Sequence, residues 1–386
     1  MKQRFFALIL MMLLAVCPAL GETSEQSVPA VSDVGLDLLG SSVHYPQLTG
    51  LADQDLQSAV NAAIMEAGQI EARLNRMAML ISSPVKLSVS YTCTLTEDVF
   101  SCAILADGAV ETNRATQIWS SVNIDLTSGE PIVLADLFTD AEAAAAFLES
   151  YLNEQVAPEL SAHLASGQLT PVPETFSLSA SGLTLYYPID QFRTLSDRAG
   201  TVTILWTELQ EHLNTGKGSL SERVGAADSL TLCPDSAAIV AAALQDGAFD
   251  GIPAAIGQPM QELIDRHALL NDPDIYEGGR MIALEDGAFR KVWLLTDALT
   301  EDFSQSIVQG IRADRLNLGG LCTGTTTIDA WREALGLPET TLAVDAARAE
   351  SWRIVPGTSD YYTLGEYRLR LHADETGVLR SVFLTR

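Results

Sequence analysis

Residues 122–138 read VNIDLTSGEPIVLADLF and carry the most regular hydrophobic pattern of the chain. The first five residues alternate between apolar and polar side chains, which predicts a strand with one buried face. The apolar positions are Val122, Ile124 and Leu126, and the polar positions between them are Asn123 and Asp125. A Thr-Ser-Gly turn and a second apolar run complete a predicted hairpin. Its final Asp-Leu-Phe is expected to close the entry of the next helix.

The flanking sequence predicts further elements around this hairpin. A 3.6-residue apolar period predicts a helix over 56–80, and strands are predicted over 85–95, 99–109 and 115–126. Thr139 and Glu142 form a capping box that opens a helix over 140–156. A hairpin at 174–188 and a strand at 199–209 follow. The prediction is an α+β domain over 44–213, preceded by an extended lead at 22–43 and followed by a polar linker at 214–235.

The N-terminus, MKQRFFALILMMLLAVCPALG, has the pattern of an export signal. Its apolar run from Phe5 to Val16 is shorter than the roughly 20 residues that a spanning helix needs. We therefore predict a signal peptide over 1–21, cleavage after Gly21 and no membrane span in the mature chain. A lipid anchor on Cys17, within LAVC, is the minor alternative. The mature protein is expected to be secreted or held in the extracellular cell envelope.

The chain is strongly acidic, with 23 Lys and Arg against 50 Asp and Glu and a formal net charge of −27. The predicted leader holds two of the basic residues and no acidic one, so the mature charge would be −29. This charge repels nucleic acid and anionic lipid and attracts basic proteins. We expect no nucleic-acid partner. The acidity either steers a basic protein or only maintains solubility.

Four cysteines remain after cleavage, an even number that predicts two disulfides in an oxidising compartment. In SYTCTLTEDVFSCAIL, a two-residue Glu-Asp turn places Cys93 opposite Cys102 in a non-hydrogen-bonded pair. The Cβ separation of such a pair suits a disulfide. Cys233 is then left to pair with Cys322. The chain has no CxxC motif and no Cys/His cluster, so a zinc site is not expected.

Several motifs of the first half occur in the order seen in a known family. YPQLTG, VFSCAI, VNIDLTSGEPIVLADLF and FSLSASGLTLYYPIDQF, followed by AGTVTILWTEL, resemble the extracellular domain of the lysozyme-sensing anti-sigma factor of Gram-positive bacteria. A similar domain is appended to some peptidoglycan deacetylases. The resemblance covers roughly 44–213 and implies a non-catalytic recognition domain. The chain lacks the sigma-binding segment and the deacetylase domain, so lysozyme is one candidate ligand among others.

Residues 236–386 contain an internal repeat, which predicts a second α+β domain. EDGAFRKVWLLT at 285–296 matches ETGVLRSVFLTR at 375–386, and each copy follows a helical segment preceded by Gly257 or Gly324. We predict two domains, each with helices packed on an antiparallel sheet, the second being a duplicated helix-plus-strands unit. The duplication resembles the tandem-repeat fold of β-lactamase inhibitory proteins. Fold likeness alone does not transfer function.

No catalytic or cofactor motif is recognisable in its required context. Glu208 and His212 are expected to form a surface ion pair, and calcium binding by Asp272, Asp274 and Glu277 stays open. We predict no enzyme activity, no cofactor and no metal. The expected function is a bacterial binding or sensing module for a protein, possibly lysozyme, or for peptidoglycan. The alternative is a cell-wall hydrolase of unrecognised type.

Ligand contacts are expected on the open sheet face and on exposed aromatic side chains. The polar side of the hairpin strand has a simpler interpretation as solvated sheet surface. The predicted contact residues are Asn123, Asp125, Tyr186, Tyr187, Trp331, Tyr361 and Tyr362.

Overall fold

The computed structural model has an α+β fold, which confirms the predicted class. It describes residues 28–38, 40–79, 86–108, 117–161, 164–169, 171–192, 200–230, 232, 236–249, 252–266, 274–276, 279–284 and 291–386. The predicted leader with Cys17, and Cys233, lie outside the described residues. None of the helices in these ranges is long and apolar enough to cross a membrane.

The first part of the chain forms a five-stranded sheet covered on one face by two helices. The strands are Ala30–Leu38 (β1), Ser41–Thr49 (β2), Ser88–Leu95 (β3), Val99–Asp107 (β4) and Gln117–Asp125 (β5), and they lie in chain order. The helices are Gln54–Ala67 (α1) and Ile70–Met79 (α2). Val60 and Ile64 of α1 pack against Phe100, Ile104 and Val122 of the sheet. Burial of this apolar face is the main stabilising term for the layer.

Three predictions for this part are corrected by the structure. The lead at 22–43 is not a simple extension, because β1 pairs along its whole length with β2. The single helix predicted over 56–80 is two helices, since Gln69 has a φ of 49° and breaks the helical path. The sheet is not wholly antiparallel: β2 and β3 run parallel, and α1 and α2 supply the crossover that a parallel pair needs.

A second core follows, built on a small antiparallel sheet. The strands are Phe176–Leu178 (β6), Gly182–Tyr186 (β7) and Thr201–Leu205 (β8). The helices are Ala141–Tyr151 (α3), Trp206–Leu209 (α4), Leu220–Arg223 (α5) and Ala226–Leu230 (α6), with a π-helical turn at Leu152–Val156. Side chains on the inward face of β7 and β8, including Leu183 and Ile204, pack with Leu148 and Trp206. The predicted domain at 44–213 therefore contains two separate cores.

The predicted linker at 214–235 is not a loose connection in its described part. Leu220 and Val224 are buried in the second core, and Arg223 forms an ion pair with Asp125, Nη2 to Oδ2 2.9 Å. The Ser219 side chain caps α5 by accepting from the backbone N–H of Glu222. The Gly/Ser-rich composition therefore reflects helix caps and tight turns.

The rest of the chain forms one eight-stranded antiparallel sheet. Its strands are Asp274–Tyr276 (β9), Gly279–Leu284 (β10), Val292–Thr296 (β11), Val308–Ala313 (β12), Thr340–Val344 (β15), Gly357–Leu364 (β16), Tyr367–Asp374 (β17) and Leu379–Thr385 (β18). Asn317–Leu318 (β13) and Leu321–Cys322 (β14) form a separate ladder. The helices are Ser236–Ala243 (α7), Met260–Arg266 (α8), Ile328–Leu335 (α9) and Ala346–Trp352 (α10).

The strand order of this sheet, β15-β16-β17-β18-β12-β11-β10-β9, is symmetrical about its centre. One half consists of β15 to β18 and the other of β9 to β12, each in chain order from the edge of the sheet to its centre. The central strands β12 and β18 pair antiparallel. Pro259, just before α8, forms an isolated β-bridge with Ile307, just before β12. Thr327, just before α9, forms the equivalent bridge with Val378, just before β18. A duplicated helix-plus-strands unit would give this arrangement. The sequence repeat aligns β11 with β18, whereas in the symmetrical sheet β12 occupies the position equivalent to β18. Residues 285–290, the first half of one repeat copy, lie outside the described part of the chain.

The hairpin of β3 and β4 has the predicted register. Thr96 donates its N–H to the Val99 carbonyl at 2.9 Å, and Cys93 lies directly opposite Cys102. Cys93 is half-buried and Cys102 is buried, and both are free thiols in the structure. Burial raises the pKa of the Cys102 thiol. The register permits a bridge, and the pairing itself stays a prediction.

We expect Cys93 and Cys102 to form a disulfide under oxidising conditions. In the loop-entropy account, a bridge closing this short hairpin stabilises the fold by about 2.5–3 kcal/mol before strain. Non-reducing peptide mapping checks the connection, and urea unfolding with and without reductant checks the stability. Alkylation of both thiols in unreduced, unfolded protein would contradict the prediction.

Candidate functional site

An apolar groove of about 800 Å³ lies along the segment 122–138. Residues 121–124 of β5 and residues 131–135 form its floor and one wall. Helices α1 and α3 form the sides, and residues 172–174 with Phe176 close one end. A cleft of this volume is within the range of ligand-binding sites. It is the candidate functional site.

Backbone hydrogen bonds hold the groove wall in place. Asp125 donates its N–H to the Glu130 carbonyl at 3.0 Å, and Ile132 donates to the Asn123 carbonyl at 2.8 Å. Gly129 takes up a φ of 78° at the turn between them. The turn therefore returns the chain beside β5 and presents Val133, whose surface is 55% exposed, beside the groove.

The end of the segment anchors the wall to the second core. Leu137 and Phe138 are buried there, and Asp136 accepts from the Val133 N–H at 2.8 Å, as expected for a closure of the helix entry. The prediction that Thr139 caps helix α3 is wrong. Asp140 caps α3, because its carboxylate accepts from the backbone N–H groups of Glu142 and Ala143, both at 3.0 Å.

The groove has an acidic rim. Glu66 of α1 and Glu174 are exposed and line it. Among the described residues that line the groove there is no Lys, Arg or His. An apolar floor flanked by carboxylates suits an apolar side chain that is accompanied by a cationic one.

The polar face of β5 is not the open surface that the alternation predicted. Asn123 is buried: its Nδ2 donates to the Phe176 carbonyl at 2.8 Å, and its Oδ1 accepts from the Ser101 hydroxyl at 2.6 Å. It joins the five-stranded sheet to β6. Asp125 is paired with Arg223, whose hydrogen bond lowers the pKa of Asp125 to about 2. Neither side chain is available as a free ligand contact on an open face.

Four of the five predicted aromatic contacts are buried, so their expected exposure is wrong. Tyr186 stacks on Trp119 with ring centroids 4.4 Å apart, and Tyr187 donates to the Leu169 carbonyl at 2.9 Å. Trp331 donates to Asp360 at 2.9 Å, and Tyr362 donates to the Gly336 carbonyl at 3.1 Å. Only Tyr361 is half-exposed, beneath the guanidinium groups of Arg368 and Arg370. The structure does not bring these residues together in one site.

Glu208 does not pair with His212. It forms a bidentate ion pair with Arg315, with Nε to Oε1 at 3.0 Å and Nη2 to Oε2 at 2.5 Å. Burial raises the pKa of Glu208, but attraction to Arg315 and the hydrogen bonds outweigh it, so the net pKa is lowered. His212 instead stacks on Phe147, with centroids 4.5 Å apart. Helix α4 ends at Leu209, so the predicted helical spacing does not extend to His212, and the charge partner of Glu208 comes from the later half of the chain.

One Ser–His pair occurs in the described part of the last sheet, between Ser359 Oγ and His372 Nδ1 at 2.9 Å. Arg370 donates to the same hydroxyl at 3.1 Å, and His372 Nε2 bonds the Val355 carbonyl at 2.8 Å. Burial, together with the nearby Arg370 and Arg312, lowers the pKa of His372 to about 4. Both Ser359 and His372 are fully enclosed, so a substrate cannot reach this pair.

Metal-binding groups do not converge in the described ranges. No group of three or more His, Cys, Asp or Glu side chains there could hold an ion. Asp272 and Glu277 of the possible calcium loop lie outside those ranges, and Asp274 begins β9.

The Cys322 thiol is buried and lies 3.1 Å from Thr207 Oγ1.

Local sequence pattern could not predict the groove, because its lining comes from several segments that are separate in the chain. The alanines of α1 and α3 that line it are small residues with no chemical signature. The available signal was Pro-Ile-Val at 131–133, a short apolar run just after the turn. Only packing shows that Val133 stays exposed.

No protein-family model matches the chain, and no curated protein matches it. Several solved structures resemble part of it, among them the three that follow. A DUF3298 family protein from Bacteroides fragilis is 15% identical with a TM-score of 0.39, and the match covers 53% of this chain and 100% of that one. A DUF3298 family protein from Pseudomonas aeruginosa is 11% identical with a TM-score of 0.31, over 49% and 94%. A DUF4309 family protein from Bacillus subtilis is 12% identical with a TM-score of 0.25, over 40% and 97%.

None of these three proteins is described as an anti-sigma factor or a β-lactamase inhibitory protein. At these TM-scores the likenesses carry no argument about the function of this chain.

Proposed function

We propose that this chain is a non-catalytic binding protein of the bacterial cell envelope, secreted or held at the surface, which takes a segment of a basic protein into the apolar groove. The groove carries the proposal, because it combines an apolar floor with exposed Glu66 and Glu174. A partner that inserts an apolar side chain next to a Lys or Arg would satisfy both features.

The charge of the whole chain supports a basic partner. A net charge of −27 raises the encounter rate with a cationic protein, and this steering weakens as salt screens it. Lysozyme is the named candidate, because the first half resembles the extracellular domain of a lysozyme-sensing anti-sigma factor. The hydrolase alternative has less support, since the Ser359–His372 pair is enclosed.

The proposal is tested by titrating the mature protein with lysozyme at low salt and at about 0.5 M salt, where the screening length is only some 4–5 Å. Cytochrome c, an unrelated basic protein, is the control. We expect lysozyme binding to persist at high salt and cytochrome c binding to vanish. Equal binding of both proteins that disappears at high salt would reduce the interaction to generic acidity and contradict the proposal.

Ala145→Arg is expected to weaken lysozyme binding at least tenfold. Ala145 lies on α3, is exposed and lines the side of the groove, so an arginine there occupies part of the groove and repels a cationic partner. Ala146→Arg is the matched control, because Ala146 is exposed on the same helix, does not line the groove and receives the same charge. Calorimetric titration of both variants measures the difference. Equal affinities would place the partner elsewhere.

A further inference from the structure

A second cleft, of about 500 Å³, lies between the first half of the chain and the eight-stranded sheet. One wall is the face of β6–β8 that points away from the second core. Another is the end of β3, with Thr92 and Thr94. The third comes from the later half of the chain and includes Ile252, Val292 and Leu316. The cleft is separate from the apolar groove, although strands of the same two sheets help to form both.

The first wall carries a row of hydroxyl groups. Ser177, Thr184 and Thr203 are directly opposite one another on the three strands. The hydroxyls of Thr184 and Thr203 are 2.9 Å apart, and those of Ser179 and Ser181 are 3.1 Å apart. The row follows from strand alternation, since the residues between these positions face the core.

These hydroxyl groups retain hydrogen-bonding capacity. A bond between two hydroxyls uses one of their two hydrogens and one lone pair, so the Thr184–Thr203 pair keeps one donor and several acceptor positions. The two threonines are half-buried rather than fully enclosed, so a ligand in the cleft can reach them. The apolar side chains of the facing wall provide a surface for C–H groups.

The cleft is also nearly free of charge. Among its described lining residues there is no Asp, Glu or Lys, although the chain has 50 acidic residues. The one charged lining side chain, Arg315, is already paired with Glu208. A neutral ligand that presents hydroxyls and C–H faces together matches this lining better than an ionic one.

We propose that the hydroxyl-lined cleft is a binding site for a short neutral oligosaccharide. The site is independent of the protein-binding groove proposed above. Hydroxyls of the sugar exchange hydrogen bonds with the Thr184–Thr203 pair, and the ring C–H groups pack on the facing apolar residues. The protein would then have one site for a protein and one for a glycan.

The test uses chitotetraose, a neutral oligosaccharide, with the whole mature protein. Saturation-transfer NMR and calorimetry measure its binding to the parent protein and to Thr184→Val/Thr203→Val. Replacing both partners of the hydroxyl pair with side chains of the same shape leaves no unpaired polar group, so the fold is expected to remain stable. Thr340→Val, on the exposed edge strand β15, is the matched control. Unchanged urea midpoints verify folding.

We expect the double variant to bind chitotetraose at least tenfold more weakly than the parent and the control variant to bind it equally well. Absence of chitotetraose binding at millimolar concentration, or equal binding by the double variant, would overturn the proposal. So would loss of lysozyme binding in the double variant with chitotetraose binding intact, because the cleft would then belong to a protein interface. Ala145→Arg separates the two sites, since it is expected to leave chitotetraose binding unchanged.

Discussion

Replacing Glu208 with alanine is expected to lower the free energy of unfolding by about 3–5 kcal/mol, the usual loss when one partner of a buried ion pair is removed. The Arg315 side chain is only 9% exposed and binds both Glu208 oxygens and the Thr203 carbonyl. Without Glu208 the charge of Arg315 stays buried and loses its carboxylate partner, although the Thr203 carbonyl remains bonded to it. Urea unfolding followed by circular dichroism measures the loss.

A double-mutant cycle distinguishes the buried charge from the lost packing. Glu208→Gln combined with Arg315→Met removes both charges, and we expect it to recover most of the stability, because uncharged replacements of similar size are well tolerated at such positions. Glu366→Ala is the control, since the Glu366–Arg386 pair is largely exposed; its expected effect is within about 0.5 kcal/mol. A loss below about 1 kcal/mol for Glu208→Ala would mean that solvent reaches the pair and that the two halves are not docked as described.

Acidification is expected to remove about 3 kcal/mol of stability between pH 6.5 and pH 4 through His372 alone. Burial lowers the pKa of His372 to about 4, so the unfolded chain, with an ordinary pKa near 6.5, binds the proton more readily than the folded one. The stability is therefore fully present above pH 6.5 and falls as the pH falls through this range. Asp314, which attracts a proton to His372, is outweighed by burial and by the two arginines.

His372→Gln is expected to flatten this pH dependence, because glutamine is neutral throughout and can still bond the Val355 carbonyl. Urea midpoints measured from pH 7 to pH 4.5 give the slope. The pKa of Asp125 is lowered to about 2, so the stability that its ion pair contributes is lost only below about pH 4, outside the measured range. His44→Gln is the control: hydrogen bonds that His44 donates to the Asp33 and Asp37 carboxylates raise its pKa, so its loss would not remove an acid-induced decline. An unchanged slope in His372→Gln would contradict the assignment.

Local pattern was enough to predict β5, but not that residues after the turn form a 3-10 turn at Leu134–Leu137 or that the predicted strand at 199–209 ends in a helix at Trp206–Leu209. Val122 is buried and Ile124 packs beside it, because alternation directs every second side chain to the same face. The Cys93–Cys102 register could also be predicted, since the length of a hairpin turn fixes which residues face each other. The last sheet has two symmetrical halves, as a duplication predicts. The repeat aligned β11 with β18, however, whereas β12 occupies the position equivalent to β18 in the sheet.

The position of the polar and aromatic residues could not be predicted in the same way. Alternation shows that Asn123 lies opposite the first core, but it does not show that β6 covers that face and supplies the Phe176 carbonyl. The buried tyrosines follow the same logic, because an aromatic residue becomes a surface contact or a core residue according to what packs against it.

The sequence by itself determined the α+β class, the hairpin registers and the strong negative charge, because each depends on neighbouring residues or on composition. Tertiary structure alone decided the candidate sites. The apolar groove draws its walls from α1, β5, α3 and residues 172–176, and the Glu208–Arg315 pair joins residues more than a hundred positions apart. Such groupings depend on how separate elements pack, and the periodicity of a single element contains no information about its distant neighbours.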